Sequence, residues 1–441
     1  MRSCNTPYTI AEYGGFTRGG PPYGMYRPLP ERTFDALESF ILANRPEGGT
    51  QAVELLSLSV RRGVGKLITA RNYVGVITMK DGTVIEILPK IHGDIGEAGT
   101  KRVFLEMLRT LKDISFKDFN ASSLETARLS LFEIFISMFA GEVTALVKQG
   151  LKSSYSPVEA NERFFKGKLN VPQNIKHNYV NRERFYVGYD EWSIDRPENR
   201  LLKAALRLLQ KQSGDDRNRR ALARLLSFFD GADTSTDYEA DFAKCAGDRG
   251  MSHYGKALSW CRVFLRGNSF TAFSGSEVAA ALLFPMEKVF ESYVAAALRR
   301  HAPPNMELRT QDTGRSLFDR PANAFCMRPD IVLVGSGGTV VMDTKWKLLS
   351  EDVGNYGISQ SDMYQMYAYG KKYNAAKIVL LYPRPEGLGG ADISFHSDDG
   401  VSVQVAFIDL LHPDASVQAL IETYSGLGAS PGQGSPRTPR I

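Results

Sequence analysis

Cysteine and histidine are scarce: four of one and six of the other in 441 residues. Cys4, Cys245, Cys261 and Cys326 lie far apart with no CxxC pair. That argues against a disulfide framework and predicts free thiols in a reducing cytoplasm. The histidines are equally dispersed, so no zinc-ligand spacing exists. Long uncharged apolar runs are missing too. The most apolar helical stretch, LFEIFISMFAGEVTALV (131–147), contains Glu133 and Glu142 and predicts a core helix rather than a membrane span. The opening MRSCNTPYTIAEYGG has no apolar segment of the signal-peptide kind. Charge of one sign is not in large excess: 54 basic against 49 acidic residues gives +5. A mild basic balance permits nucleic-acid binding without demanding it. Tandem repeats are absent.

A complete phosphate-binding loop is also lacking. Gly250 to Ala257 satisfies GxxxxGK, but Ala257 stands where a Ser or Thr hydroxyl should meet Mg²⁺, and no apolar strand precedes it. Gly63-Val64-Gly65-Lys66 is shorter still. No nucleotide bound by this chain itself is expected.

What is present is enough chain for two or three domains with real cores. Residues 1–32 are rich in Gly, Pro and Tyr and predict a flexible leader. TFDALESFILAN (33–44) has helical spacing. From 52 to 91, alternating apolar residues around the turn Lys80-Asp81-Gly82 predict a small sheet or barrel. Helices are expected over 103–113 and from about 122 to 149, then a mixed stretch to 192 and a basic helical stretch over 199–229. VAAALLFPMEKVFESYVAAALRR (278–300) predicts an apolar helix pair or a helix entered through Pro285. A helix around 360–373 and the strand KIVLLYP (377–383) come next, and 425–441 predicts a disordered tail. The fold class is mixed α/β: the leader, a β-rich plus helical region over 33–275, an α/β domain over 276–424, and the tail.

The most informative stretch is RPDIVLVGSGGTVVMDTKWK (328–347). Two β-rich runs flank Gly335-Ser336-Gly337-Gly338, and each carries one aspartate. If Val334 pairs with Thr339 across a tight turn, Asp330 lies opposite Asp343 with Cβ atoms roughly 5 Å apart. Like charges so placed are destabilising. A divalent cation removes the conflict, because Mg²⁺ takes hard carboxylate oxygens. Alternation puts Lys345 on the face of Asp343, with Met342, Thr344 and Trp346 on the other. Two carboxylates holding Mg²⁺ and a lysine form a set able to cleave phosphodiesters. The metal polarises the phosphate and activates water, while the lysine orients that water or stabilises charge on phosphorus. The alternative is two solvated aspartates at strand ends, ion-paired with Lys345. Glu291, four residues after Glu287 on the preceding helix, offers a third acid or a solvated helix face. Gln365 and Tyr369 share a helix face at i, i+4 and either support the site, contact DNA or form amphipathic surface.

Lys166, Lys168, Lys176, Arg182 and Arg184 are interleaved with Phe164, Phe165, Tyr179, Phe185 and Tyr186. That pattern suits a nucleic-acid surface, a solvated face over a small core, or an assembly contact.

The hairpin MRPDIVL…VVMDTKWK resembles the PD-(D/E)xK nuclease motif as it occurs in the McrC family, the nuclease subunits of modification-dependent restriction systems. Other segments are similar in order: NYVGVITMKDGTVIEILPKI (72–91), FKGKLNVPQNIKHN (165–178), the helix start Asn199 to Lys203, FPMEKVFESYV (284–294) and MYQMYAYGKKY (363–373). The resemblance implies Asp330 and Asp343 as metal ligands, Lys345 as catalytic lysine, Glu291 as helical acid, and Gln365 and Tyr369 as a QxxxY-like helix. It further implies Mg²⁺, a cytoplasmic hexameric AAA+ GTPase partner of the McrB kind that translocates DNA, and methylated double-stranded DNA as substrate. The leader and tail match nothing in the family. Two other functions compete: a non-cutting assembly factor with a degenerate nuclease domain, and a stand-alone PD-(D/E)xK repair nuclease. The intact Asp330, Asp343 and Lys345 argue against the first, and the long N-terminal region against the second.

Overall fold

The computed structural model describes residues 7–43, 56–79, 81–91, 95–111, 129–245, 253–266, 278–321, 324–388 and 392–425. The expected disordered tail, apart from residue 425, and the start of the expected 122–149 helix lie outside the described residues, as do Gly250 to Ser252.

From residue 7 onward, the expected leader is folded. Strands β1 (Tyr8–Ala11), β2 (Gly15–Arg18) and β3 (Tyr26–Leu29) precede helix α1 (Glu31–Ala43). Strands β4 (Leu56–Arg61), β5 (Gly65–Ala70), β6 (Tyr73–Met79) and β7 (Val84–Leu88) come after it. β1 pairs in parallel with β7, and β2 lies between β3 and β5. β7 and β5 are distant in sequence from β1 and β2, so local Gly/Pro composition does not reveal these pairings. Gly15 permits one approach: a Cβ there would stand 2.2 Å from the Ile68 carbonyl oxygen. Gly63 and Val64 form the β4–β5 turn, and Lys66 pairs with Glu38 at 2.8 Å, so this glycine run is a hairpin turn. Phe16, Phe34, Leu37, Ile68, Ile77 and Ile87 close a core around α1.

Helices α2 (Gly96–Leu108) and α3 (Leu131–Gln149) come next. β8 (Ser154–Glu162), β9 (Lys168–Leu169), helix α4 (Val171–Asn178) and β10 (Phe185–Ser193) make a small unit whose sheet order is β8-β10-β9. Beyond it lie α5 (Pro197–Gln212), α6 (Asp216–Ser227), α7 (Tyr238–Cys245) and α8 (Gly255–Arg266). α3 is buried as expected. Its Glu133 carboxylate accepts from Ser213 Oγ (2.8 Å), Gly214 N (2.7 Å) and Asn218 Nδ2 (2.7 Å), which satisfies a charge in the core. Phe135 packs on Trp260 and Phe284 with ring centroids 6.0 and 5.9 Å apart. Full burial of a side chain of this kind contributes about 1.5–3 kcal/mol. Among the described residues no helix is long and apolar enough to cross a membrane.

Val278–Pro285 is strand β11, where a helix pair was one expectation. The other expectation, a helix entered through Pro285, is met by α9 (Met286–His301). Alanine favours helix, but pairing overrides propensity: β11 lies antiparallel to β6, with Leu283 opposite Gly75. Gly75 makes room, since a Cβ there would stand 1.9 Å from the Leu282 carbonyl oxygen. β11 therefore completes the sheet β1-β7-β6-β11, which joins strands from both sides of the boundary expected at 275/276.

The rest of the chain holds β12 (Glu307–Thr310), β13 (Ile331–Gly335), β14 (Gly338–Thr344), α10 (Gln360–Tyr373), β15 (Lys377–Pro383), β16 (Ser394–His396), β17 (Ser402–Ile408) and α11 (Pro413–Ser425). The strands form one mixed sheet of order β12-β13-β14-β15-β17-β16. Ile331, Leu333, Val340 and Met342 face a core shared with α9 and α11. Val332, Val341 and Leu380 face a second core with Met366, Tyr369 and Tyr373 of α10. Period-two alternation in β13 and β14 thus serves two helical layers.

Candidate active site

The hairpin register agrees with the tight-turn expectation: Val334 pairs with Thr339, Gly335 with Gly338, and Ile331 with Met342. Asp330 lies one residue before β13, and its main chain binds Gln311 rather than β14. Its Oδ2 accepts from the Thr344 N–H (2.8 Å) and the Thr344 hydroxyl (2.6 Å). Thr344 therefore does not turn its back on the site, as strict alternation predicts; the strand ends there and its hydroxyl reaches Asp330. Met342 does point away, into the core beside α9; Trp346 packs against that core and still borders the site.

Asp343 is 3% exposed. Lys345 Nζ stands 2.8 Å from Asp343 Oδ2, 3.4 Å from Asp362 Oδ1 and 3.2 Å from Gln365 Oε1. Burial pulls the Lys345 ammonium down, but the Asp343 and Asp362 charges outweigh it and hold its pKa above the usual lysine value. Lys345 is thus a cation and donor, not a base. Burial, then the charge of Asp330, pushes Asp343 up to about 6 against the pull of Lys345.

Glu291 comes from α9 on the other side of the sheet. Burial and then Asp330 raise its pKa to about 7. A single amide links the two acids: Gln311 Nε2 donates to Glu291 Oε1 and, at 3.1 Å, to Asp330 Oδ1. Gln311 also donates its N–H to the Asp330 carbonyl (2.9 Å) and has a left-handed backbone, φ +52°. Strain at a non-glycine residue beside paired acids is a mark of functional sites. Glu287, the other helical acid, accepts from Asn72 Nδ2 at 3.0 Å, so Glu291 is the one joined to Asp330.

These groups open onto one cleft of about 800 Å³. Its walls carry six carboxylates, Glu12, Glu287, Glu291, Asp330, Asp343 and Asp362, and five cations, Lys90, Lys288, Arg328, Lys345 and Lys347. Gln365 lines it; Tyr369 is buried behind and accepts from Gln365 Nε2 at 2.8 Å. Of the readings expected for this pair, the bond and the burial of Tyr369 favour a supporting contact to Gln365.

Among the described residues no three acidic, histidine or cysteine side chains close into a metal cage. A cage is not what Mg²⁺ requires: it keeps several waters and takes one or two carboxylates. Crowded oxygen donors whose protonation is driven up by one another are the donor set a hard cation suits.

Sequence reasoning missed Gln311, Asp362, Thr344 and Glu12. Asp362 was findable, because it lies three residues before Gln365 on one helix face. Gln311 and Glu12 carry no local signal, since long-range folding alone brings them here. The basic and aromatic residues 164–186 line no part of this cleft. They decorate β9, β10, α4 and nearby turns, where Phe164, Phe165 and Tyr179 are exposed and His177 stacks on Tyr186 at 5.3 Å.

A family model described as McrBC 5-methylcytosine restriction system component matches residues 68–383, well over half of the chain and all of the cleft except Glu12 and Tyr13. No curated protein matches. A chain of the refined half-complex from a tetradecameric assembly of Thermococcus gammatolerans McrB AAA+ hexamers with bound McrC is similar in fold. Its TM-score is 0.70 at 19% identity, over 95% of this chain and 100% of that one. A chain of the cryo-EM structure of the Thermococcus gammatolerans McrBC complex aligns over 68% of this chain and 88% of that one, with 20% identity and a TM-score of 0.48. By the span of the family match, this chain belongs to the McrBC restriction system components.

Proposed function

We propose that the chain is the metal-dependent, DNA-cutting subunit of an McrBC-type restriction system. The observation that carries the reading is the meeting of Asp330, Asp343, Lys345 and Glu291, from three separate elements, in one cleft. A mixed sheet with α9 and α11 on one face and α10 on the other is the frame a PD-(D/E)xK nuclease needs, and we assign residues from α9 onward to that class.

Asp330 and Asp343, with Glu291 beside them, would hold Mg²⁺. When bound, the ion supplies charge that polarises the scissile phosphate and lowers the pKa of a water. The chain's own groups do the rest. Thr344 fixes the Asp330 carboxylate, and Gln311 keeps Glu291 next to it. Lys345, held protonated by Asp343 and Asp362, donates to the phosphoryl oxygens as negative charge develops. Gln365, braced by Tyr369, limits where the ammonium can go.

Partner and substrate are inferred through the family. McrC is bound to McrB AAA+ hexamers in the Thermococcus gammatolerans assembly, and we infer an AAA+ GTPase partner for this chain. The family description names 5-methylcytosine, and we infer methylated double-stranded DNA as the substrate. The test combines the full chain, its GTPase partner, GTP, Mg²⁺ and methylated DNA. Wild type should cut, and Asp343→Asn should lose at least about 10²-fold of the rate. An Asp343→Asn protein that cuts like wild type sinks the reading. GTPase stimulation with no cutting by wild type would instead favour a non-cutting assembly factor.

A further inference from the structure

Glu12 is the one cleft acid contributed by the N-terminal strands. It comes directly after β1 and extends the β1–β7 ladder by donating its N–H to the Leu88 carbonyl at 2.8 Å. The residue is 3% exposed. Oε1 accepts from the Lys90 N–H at 2.7 Å, and both oxygens accept from the Trp346 indole N–H at 2.9 Å. Burial pushes its pKa up to about 7 despite those donors.

Trp346 is the residue after Lys345. Its ring packs on Phe290, the residue before Glu291, with centroids 5.4 Å apart. The neighbour of one cleft group therefore packs on the neighbour of another from a different element, and Glu12 holds the indole of that pair. Glu12 thus joins the end of the β1–β7 ladder to the residue that follows Lys345, and what that link needs from its side chain is an acceptor for these two N–H groups.

We propose that Glu12 is a positioning residue for DNA cleavage: by fixing Trp346 between Lys345 and Phe290, it sets where Lys345 and Glu291 stand in the cleft. The inference rests on the nuclease reading above. It predicts a rate defect, because misplacing a reacting group by about 1 Å costs up to about 10²-fold with little change in binding.

The experiment uses the full chain with its GTPase partner, GTP, Mg²⁺ and methylated DNA, with rates normalised to folded protein by circular dichroism. Glu12→Ala should lower kcat by about 10- to 100-fold with KM for DNA unchanged within about twofold. Glu12→Gln, which keeps an acceptor for Trp346 and Lys90, should recover to within about threefold of wild type. Trp346→Phe, which keeps the ring and drops the donor, should match Glu12→Ala, and the double variant should be no slower than either. Glu12→Ala cutting like wild type per folded molecule overturns the inference alone. So does a Glu12→Gln that fails as badly as Glu12→Ala, or a double variant in which the losses multiply. A wild type that leaves DNA intact overturns the nuclease reading and this inference with it.

Discussion

Two apolar strands, β7 and β14, each carry an acid paired with a lysine. Glu86 in β7 pairs with Lys101 at 2.7 Å; Asp343 in β14 pairs with Lys345 at 2.8 Å. The first pair is closed, with side chains 0% and 9% exposed, and its other partners are main-chain: Glu86 Oε1 accepts from Leu131 N and Lys101 donates to the Leu129 carbonyl. One charge meets one charge, and the surplus hydrogen-bonding groups pin the start of α3. The second pair is 4% and 25% exposed; Asp362 also meets Lys345, and Asp330 and Glu291 add negative charge near Asp343. The same two functional groups at the same distance thus do different work. A balanced, sealed pair holds structure; an unbalanced pair open to a cleft retains electrostatic tension for a ligand to relieve.

The sharpest break between the two pairs comes from removing one charge from each. Asp343→Asn should abolish cutting while its melting temperature at pH 8 stays level or rises, since a crowded acid is gone. Lys101→Met should do the reverse, costing about 3–5 kcal/mol in denaturant unfolding because Glu86 is left buried without its cation, with cutting per folded molecule unchanged. A Lys101→Met protein as stable as wild type would erase the contrast. Next in size, Gln311→Ala should lower the cutting rate about tenfold at constant KM for DNA, as Glu291 and Asp330 lose their shared donor; an unchanged rate would show the amide to be dispensable.

The smallest effect is one of pH. Asp343 near 6 and Glu291 near 7 lie above ordinary carboxylates. The folded protein therefore binds more protons than the unfolded chain between about pH 4 and 7, and its stability falls as pH rises through that window. Melting scans across the window should show this slope, and an Asp343→Asn/Glu291→Gln double variant should reduce it to the part that Glu12 contributes. Bound as proposed, Mg²⁺ would compete with those protons, so it should raise the melting temperature at pH 8 and not at pH 5; equal shifts at both would place the ion elsewhere.

The hairpin was legible because a two-residue turn at Ser336-Gly337 and strict alternation fix a register without outside help. So was the brace of Gln365 on Tyr369, a contact within one helix. The Glu86 pair shows the limit of such local reading. VIEIL and VVMDT look alike, and only the lysine two residues after Asp343 separates them, because Lys101 reaches Glu86 from another element. β1 and β2 were hidden for the same reason, since their partners lie tens of residues away in β7 and β5, and β3 pairs with β2. β11 was ambiguous because alanine speaks for helix while its neighbour β6 decides for strand. Gln311 and Glu12 are visible only after folding, one through a left-handed turn and the other through a strand whose place the composition conceals.

The run of β11 into α9 has a practical consequence for anyone who would divide this protein. A fragment beginning at residue 276 would carry a strand with no sheet to join, in front of the helix that bears Glu291. The complementary fragment would leave the edge of β6 bare, an invitation to pair with other chains. The two truncation products are each expected to aggregate, so single substitutions are the tools that can separate what the two halves do.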